Sequence, residues 1–160
     1  MATEKLKFKL ELYATMWDRP PHAEILINDR SHFKGNIAST EQKPTLVEFE
    51  QEFEEGQNYE LIIKRAGKDV NQTVVNDKGD LLKDQLLHIK SIEIDEIDIG
   101  ALVYEGVYTP EYPEPWSTQQ REAGVELQES FKNVTQMGHD GKWAFKFESP
   151  FYMWLLENLY

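Results

Sequence analysis

Residues 86–100 read LLHIKSIEIDEIDIG, and this stretch decides the fold class of the chain. Its apolar residues alternate with polar ones, which is the pattern of half-buried β-strands because successive side chains point to opposite faces. The apolar members of the alternation are Leu87, Ile89, Ile92, Ile94, Ile97 and Ile99. Their parity changes across Asp95 and Glu96, two turn-forming residues. We therefore predict a tight hairpin here, ended by Gly100.

Similar alternation recurs along much of the 160-residue chain, at intervals of roughly ten residues. Further strands are predicted around Leu6–Leu12, Ala23–Ile27, Leu46–Phe53, Tyr59–Ile63 and Trp143–Phe147. Asn28 and Asp29 predict a hairpin turn, since both residue types tolerate positive φ. The strand from Leu46 carries a strongly acidic outer face. We expect one core that includes Leu10, Ile25, Phe49, Ile63, Ile92 and Phe145.

Short strands separated by turn signals, with no helical pattern between them, predict a mostly-β fold. We interpret residues 1–160 as a single antiparallel β-sandwich of jelly-roll type. Prolines and glycines interrupt any periodicity at about 108–139, so a long irregular surface excursion is expected there, with a short helix from Ser117 to Gly124. Ser149 and Pro150 are typical of a helix start and predict a C-terminal helix over 149–160.

The charge and the apolar runs of the chain argue against several classes of partner and location. Lys and Arg total 17, Asp and Glu total 29, and the formal net charge of -12 argues against a nucleic-acid partner. No apolar run reaches the 18 residues of a membrane helix, and residues 1–9 lack the apolar core of a secretory signal. We therefore expect neither a membrane partner nor secretion.

The chain also lacks the usual marks of catalysis. It has no cysteine, which excludes a disulfide scaffold, a thiolate metal site and a cysteine nucleophile. No nucleophile elbow, glycine-rich phosphate loop or zinc-type histidine spacing is present. An enzyme is therefore not expected.

Three aspartates surround the densest turn signal of the chain. Asp77, Asp80 and Asp84 flank Gly79, and calcium takes oxygen ligands from carboxylates and carbonyls that such a loop brings together. The spacing differs from that of an EF-hand. The sequence leaves two interpretations open, a solvated turn and a calcium site.

Aromatic residues form the second candidate site. Tyr108, Tyr112 and Trp116 lie among prolines, and Trp17 precedes another proline turn. Rings on a stiff loop offer flat surfaces of low conformational entropy that can stack on sugars or anchor a protein partner. The same rings could instead fold back and cover the sandwich.

The third candidate site is the C-terminus, where eight of the twelve residues from Ser149 to Tyr160 are Phe, Tyr, Met, Trp or Leu. So short a helix is not expected to bury all its faces in its own sandwich. Either it plugs one end of the sandwich or it docks into another chain, such as a second copy. The candidate interface residues are Phe151, Tyr152, Trp154, Leu155 and Leu159.

Two resemblances bear on function. Residues 77–84 followed by 87–100 resemble the turn, strand and hairpin of calcium-dependent, xylan-binding carbohydrate-binding modules. Residues 106–116 and 143–159 are similar in style to uncharacterised proteins of tailed phages, especially marine T4-like ones. Together these resemblances imply a virion-associated β-sandwich with glycan-binding ancestry; without the second, a cytoplasmic location is expected.

Two functions follow as hypotheses. In the first, a non-catalytic glycan-binding or adhesion protein stacks a neutral glycan on its aromatic residues while calcium orients the sugar hydroxyls. In the second, the same sandwich is a structural capsid or tail accessory subunit held by neighbouring virion proteins. Solution mass discriminates between them, because a stable multimer that ignores sugars favours the second.

Overall fold

The computed structural model of the chain describes residues 2–15, 19–66, 74–75, 77–78, 81–99, 106–112, 116–132 and 134–159. The strands, in chain order, are β1 (Thr3–Thr15), β2 (His22–Ile27), β3 (Arg30–Asn36), β4 (Thr45–Glu54), β5 (Asn58–Ala66), β6 (Val74–Val75), β7 (Leu81–Lys83), β8 (Leu86–Ile94), β9 (Ile97–Asp98), β10 (Val107–Pro110), β11 (Phe131–Lys132), β12 (Gln136–Met137) and β13 (Gly141–Glu148). The helices are α1 (Trp116–Glu122) and α2 (Phe151–Leu159).

Two antiparallel sheets face each other across one core. Sheet A has the strand order β12-β8-β1-β4, with β9 paired to β8, and sheet B has the order β11-β10-β13-β5-β2-β3. A separate ladder joins β6 to β7. The ring of Phe147 in sheet B lies 6.2 Å from Phe8 and 5.6 Å from Phe53 in sheet A, measured between centroids. The predicted mostly-β antiparallel sandwich is confirmed.

The core contains the residues that the alternation assigns to it. Of the six expected core residues, five are at most 1% exposed. They are Leu10, Ile25, Ile63, Ile92 and Phe145. Phe49 is half-buried, and its ring stacks on Phe8 at 4.9 Å between centroids.

A bulge within β8 explains why its apolar residues are odd-numbered up to Ile89 and even-numbered from Ile92. Glu11 pairs with Ser91 and Leu12 pairs with Ile89, so Lys90 is an extra residue on β8. The extra residue moves the apolar set from odd to even positions without changing faces, and Leu87, Ile89, Ile92 and Ile94 are all buried. The predicted hairpin follows, with positive φ at Asp95 and Glu96.

The outer face of sheet A pairs the acidic residues of β4 with lysines of β1. The register sets Lys5 opposite Glu52, Lys7 opposite Glu50 and Lys9 opposite Glu48. One diagonal ion pair, Lys5 Nζ to Glu50 Oε2, is 3.2 Å long. Opposite charges on facing strands are favourable, so the acidic face expected from β4 is balanced once β1 is beside it.

Helix α2 closes one end of the sandwich, which we call the helix end. Phe151 and Leu155 are 0% and 4% exposed, and the rings of Phe151 and Trp154 meet Phe147 and Phe145 edge to face. Glu4 of β1 accepts hydrogen bonds from the Ser149 hydroxyl and from the backbone N–H of Phe151, the latter at 2.7 Å. A carboxylate beside the first free N–H groups of a helix stabilises its start.

This packing corrects part of the predicted interface. Phe151 and Leu155 belong to the chain's own core, so they offer no surface to another molecule. Trp154 is half-buried, whereas Tyr152 is 51% exposed. The side chain of Leu159 lies outside the described residues.

The region 108–139 contains more regular structure than expected. Tyr108 lies within β10, and short ladders join β10 to β11 and β8 to β12. The predicted helix is present as α1, one residue earlier than expected, and Gly124 follows it at φ +85°. None of the helices in the described residues has the length and apolar character needed to cross a membrane.

Candidate functional site

The end of the sandwich opposite α2 is organised around a buried cation, and we call it the arginine end. Arg65 points into the core at the end of β5 and is 2% exposed. Its Nη1 donates to the Met137 carbonyl at 3.0 Å. Its Nη2 donates to both the backbone carbonyl and the side-chain Oε1 of Gln85, at 2.7 and 2.6 Å. One guanidinium thereby ties β5 to β12 and to the residue before β8.

The surroundings of Arg65 partly compensate its burial. Burial lowers the pKa of the Arg65 guanidinium, while the nearby acidic groups of Asp140, Tyr108 and Asp84 act to raise it. Arg65 Nε has no hydrogen-bond partner among the described residues. Gln85, fully buried, donates from Nε2 to the Arg19 carbonyl at 2.9 Å, which extends the network to the loop after β1.

Tyr108 supports this end from inside. Its hydroxyl donates to the His139 carbonyl at 2.6 Å and accepts from the His139 N–H at 2.8 Å. Burial raises the pKa of Tyr108 to about 12. Because the side chain is only 4% exposed, the expected role of Tyr108 as a sugar-stacking ring is wrong. It holds the loop between β12 and β13 in place instead.

Tyr112, Trp116 and His139 form a cluster of rings at the surface, which we call the aromatic platform. The ring centroids of Tyr112 and Trp116 are 5.9 Å apart, those of Tyr112 and His139 are 5.1 Å apart, and those of Trp116 and His139 are 5.8 Å apart. Trp116 is 36% exposed, and the other two rings are half-buried. Rings from the segment after β10, from the start of α1 and from the loop before β13 therefore lie side by side.

The two loops of the platform are clamped together by backbone. The N–H of Glu111 donates to the Asp140 carbonyl at 2.6 Å. A Cβ on Gly141, whose φ is +152°, would lie 2.3 Å from the Thr109 carbonyl oxygen, so only glycine allows this approach. The Tyr112 hydroxyl donates to the Gln128 carbonyl at 2.6 Å. These contacts hold the rings without a ligand.

The predicted calcium ligands are only partly within the described residues. Asp77 lies in an exposed turn, and Asp84 accepts from the Gln85 N–H at 2.8 Å, while Asp80 lies outside the described residues. In the described ranges, no three His, Asp or Glu side chains converge as a metal site would require. The described carboxylates by themselves therefore form no calcium centre, and the calcium prediction depends on Asp80 as well.

The remaining predicted sugar-binding residue, Trp17, also lies outside the described residues. The structure adds Arg65, Gln85 and His139, which were not predicted. A signal for Arg65 was present, because Leu61, Ile63 and Arg65 share one parity of β5 and a basic residue on a core face needs partners. No local pattern pointed to Gln85 or His139, since each acquires its neighbours only from distant strands.

Comparison with known proteins gives a fold likeness. The selenomethionine form of vCBM60, described with a circular permutation that links two families of calcium-dependent carbohydrate-binding modules, matches with a TM-score of 0.50 at 6% identity. The match covers 88% of this chain and 89% of that one. The complex of vCBM60 with galactobiose matches with a TM-score of 0.46 at 6% identity, covering 87% and 96%. No protein-family model and no curated protein matches the sequence.

Proposed function

We propose that this chain is a non-catalytic glycan-binding protein that stacks a neutral sugar on the aromatic platform. The observation that carries the proposal is the meeting of Tyr112, Trp116 and His139 at one end of a rigid sandwich, with Trp116 partly exposed. A likeness in fold to a carbohydrate-binding module supports the same function.

The chemistry of the platform suits a sugar. The face of a pyranose ring carries C–H groups that pack against an aromatic ring, and the edges carry hydroxyls that need hydrogen bonds. Trp116 and Tyr112 are inclined by 36° to each other, so they form a shallow bent surface rather than a flat one. Half-buried Asp140 follows His139 directly in the chain and carries a carboxylate.

Rigidity is the contribution of the residues beneath the platform. Tyr108 bonds both backbone groups of His139, and Arg65 ties together the strands that lead to the platform. A preorganised surface loses less conformational entropy on binding, so the same contacts give higher affinity. Arg65 and Tyr108 are positioning residues in this proposal.

The proposal is tested by calorimetric titration with galactobiose and with xylohexaose. Trp116→Ala should weaken binding at least about tenfold, because truncating a central aromatic residue of an interface commonly costs about 2 kcal/mol. Tyr152→Ala is the matched control, since Tyr152 is an exposed aromatic side chain at the helix end. The proposal fails if the wild-type chain binds neither sugar, or if both variants bind as it does.

A separate proposal is that the chain binds calcium through a site that includes Asp80. Sugar stacking on the aromatic platform does not require this calcium. Thermal melting with and without millimolar calcium, on wild type and on Asp80→Ala, tests it. A ligand selective for the folded state raises the melting temperature by mass action. The site is supported if calcium raises the melting temperature of wild type and Asp80→Ala abolishes this rise. It is discarded if wild type melts at the same temperature with and without calcium.

One observation favours the second function, a structural subunit. The outward face of α2 carries Tyr152, Met153 and Leu156 at 51%, 61% and 58% exposure. Contiguous exposed apolar residues are typical of protein contacts. In that function the chain is a multimer in solution, and Met153→Lys with Leu156→Lys converts it to a monomer. A wild-type monomer by analytical ultracentrifugation argues against self-association through this face.

A further inference from the structure

The outer face of sheet B carries a continuous depression that the aromatic platform does not use. One part, the Lys132 depression, has a volume of about 650 Å³ and includes Lys132, Lys142, Lys146, Glu60 and Trp154 in its lining. Two adjoining depressions, of about 440 and 660 Å³, share Glu60 with it. We call the combined feature the lysine trough. Its volume is that of ligand-binding clefts, and its lining crosses the five neighbouring strands from β11 to β2, which suits a chain rather than a compact molecule.

Strand alternation places the lysines in the trough. On β13 the core takes Trp143, Phe145 and Phe147, so Lys142 and Lys146 point outward, about 13 Å apart along the strand. Val107 of β10 stands between Lys132 of β11 and Ala144 of β13 in the register. Lysines from two strands therefore line one depression.

The trough carries an excess of lysines on a molecule that is strongly acidic overall. Its three depressions together are lined by four lysines and by three carboxylates, Glu60, Glu148 and Asp29. The chain has a net charge of -12, yet the Lys132 depression has three lysines and one glutamate in its lining. The register sets Lys142 directly opposite Lys64, a pairing of like charges that destabilises a sheet, while Glu24 lies opposite Lys64 on its other side and Glu60 lies opposite Lys146. Within the described residues none of these lysines has a carboxylate at ion-pair distance, whereas Lys5 on sheet A does. An anionic ligand would relieve this repulsion.

We propose that the lysine trough binds an acidic polysaccharide, a sugar chain that carries carboxylate groups. Lys132, Lys142 and Lys146 would pair with the carboxylates, and Trp154 offers a half-buried indole at the wall for a sugar face. Thr109, Asn158 and Glu60 supply hydrogen-bonding groups for hydroxyls. This site lies on a sheet face, apart from the aromatic platform, and extends the ligand range beyond neutral sugars.

A polymer with widely spaced charges fits better than a nucleic acid. Double-stranded DNA carries one charge per about 1.7 Å of its axis, and a molecule of charge -12 repels so dense a polyanion. Glu60, where the three depressions meet, would also repel a nearby phosphate. The same carboxylate is a good acceptor for sugar hydroxyls.

The test is affinity electrophoresis and calorimetry with polygalacturonate at low ionic strength. Binding is expected to the acidic polymer, to weaken with added salt, and to be lost when the polymer is fully methyl-esterified. Lys132→Gln with Lys142→Gln should weaken it at least about tenfold. Lys5→Gln with Lys7→Gln removes the same charge from the outer face of sheet A and should change the affinity less than twofold.

Two further measurements separate this inference from its alternatives. Trp116→Ala should bind polygalacturonate like wild type, so a failure of the aromatic platform leaves this result unaffected. Double-stranded DNA of similar length should bind at least tenfold more weakly than polygalacturonate. The inference is overturned by absent polygalacturonate binding, by equal DNA binding, or by equal effects of the two lysine pairs.

Discussion

The two ends of the sandwich are closed by opposite means. At the helix end, α2 inserts Phe151 and Leu155 between the sheets. This contact is largely apolar, with the Glu4 cap and the backbone bonds of Ser149 to Gly56 and Gln57 at the helix start. At the arginine end, a buried guanidinium gathers carbonyl oxygens, and aromatic rings stand at the surface above it. Apolar burial is non-directional, whereas hydrogen bonds fix distances and angles. The helix end is therefore suited to stability, and the arginine end to holding side chains in set positions.

The largest expected effect is at the helix end. Phe151→Ala should lower the free energy of unfolding by about 3 to 5 kcal/mol, because it removes a fully buried ring and leaves a cavity. Urea denaturation measures the change. Tyr152→Ala, one residue further along the exposed side of α2, should stay within about 0.5 kcal/mol of wild type. Similar losses in both variants would mean that α2 does not plug the sandwich.

Arg65→Met should produce the next largest effect. It keeps an apolar stem but leaves the buried carbonyls of Met137 and Gln85 without their donor, and each such group costs about 1 to 3 kcal/mol. We expect a loss of about 2 to 4 kcal/mol together with weaker sugar binding. Lys64→Met is the control, since its side chain is exposed on the same strand. If Arg65→Met is as stable as the control, the hydrogen bonds of Arg65 do not stabilise the arginine end.

Tyr108→Phe tests the same end through its pH dependence. At pH 7 we expect a loss of about 1 to 3 kcal/mol, because both backbone groups of His139 lose their partner. Burial raises the pKa of Tyr108 to about 12 from its ordinary 10.0, so the folded chain retains this proton longer than the unfolded chain. The stability that protonated Tyr108 contributes is therefore complete below pH 10 and is lost as the pH rises toward 12.

The stability difference between wild type and Tyr108→Phe should therefore narrow from pH 10 to 12. Guanidinium denaturation across this range measures it, and the other tyrosines cancel in the comparison. A difference that stays constant up to pH 12 would contradict a buried, protonated Tyr108.

The smallest effect concerns His88, on sheet A near the arginine end. Its ring stacks on Tyr13 at 4.4 Å, and its Nε2 lies 2.8 Å from the Thr15 hydroxyl oxygen. Burial lowers the pKa of His88 below its ordinary 6.5, against the opposing charge of Glu41. The unfolded chain then binds the proton more readily, so stability is present above pH 6.5 and falls as the pH drops.

His88→Gln keeps a polar side chain but removes this titration. Its stability should therefore decline less than that of wild type between pH 7 and pH 5, as measured by thermal melting. Parallel declines in the two proteins would show that His88 is not the group responsible.

The two ends also differ in how far neighbouring residues in the sequence predict their contacts. Helix α2 is predictable because its start signal and apolar residues are contiguous in sequence. Its capping partner Glu4 is not, since it lies 147 positions before Phe151. The sequence-based prediction placed the cap on Ser149, whose hydroxyl instead donates to Glu4. A side chain from the first strand was available only after the sheets had formed.

The sequence by itself determined the fold class, the two hairpin turns and five of the six tested core residues. All of these depend on alternation and turn chemistry, which act between neighbours in the chain. It also brought Tyr112 and Trp116 to attention as aromatic residues on a proline-rich segment. Those features need no knowledge of which strands pair.

Only the tertiary structure decided which of the candidate binding residues lie at the surface and next to one another. Tyr108 is buried because β10 pairs with β13, and His139 joins the platform because the loop before β13 meets the loop after β10. Lys142 stands beside Lys64 because β13 pairs with β5. Pairing register sets these neighbours across many intervening residues, and no local pattern contains it.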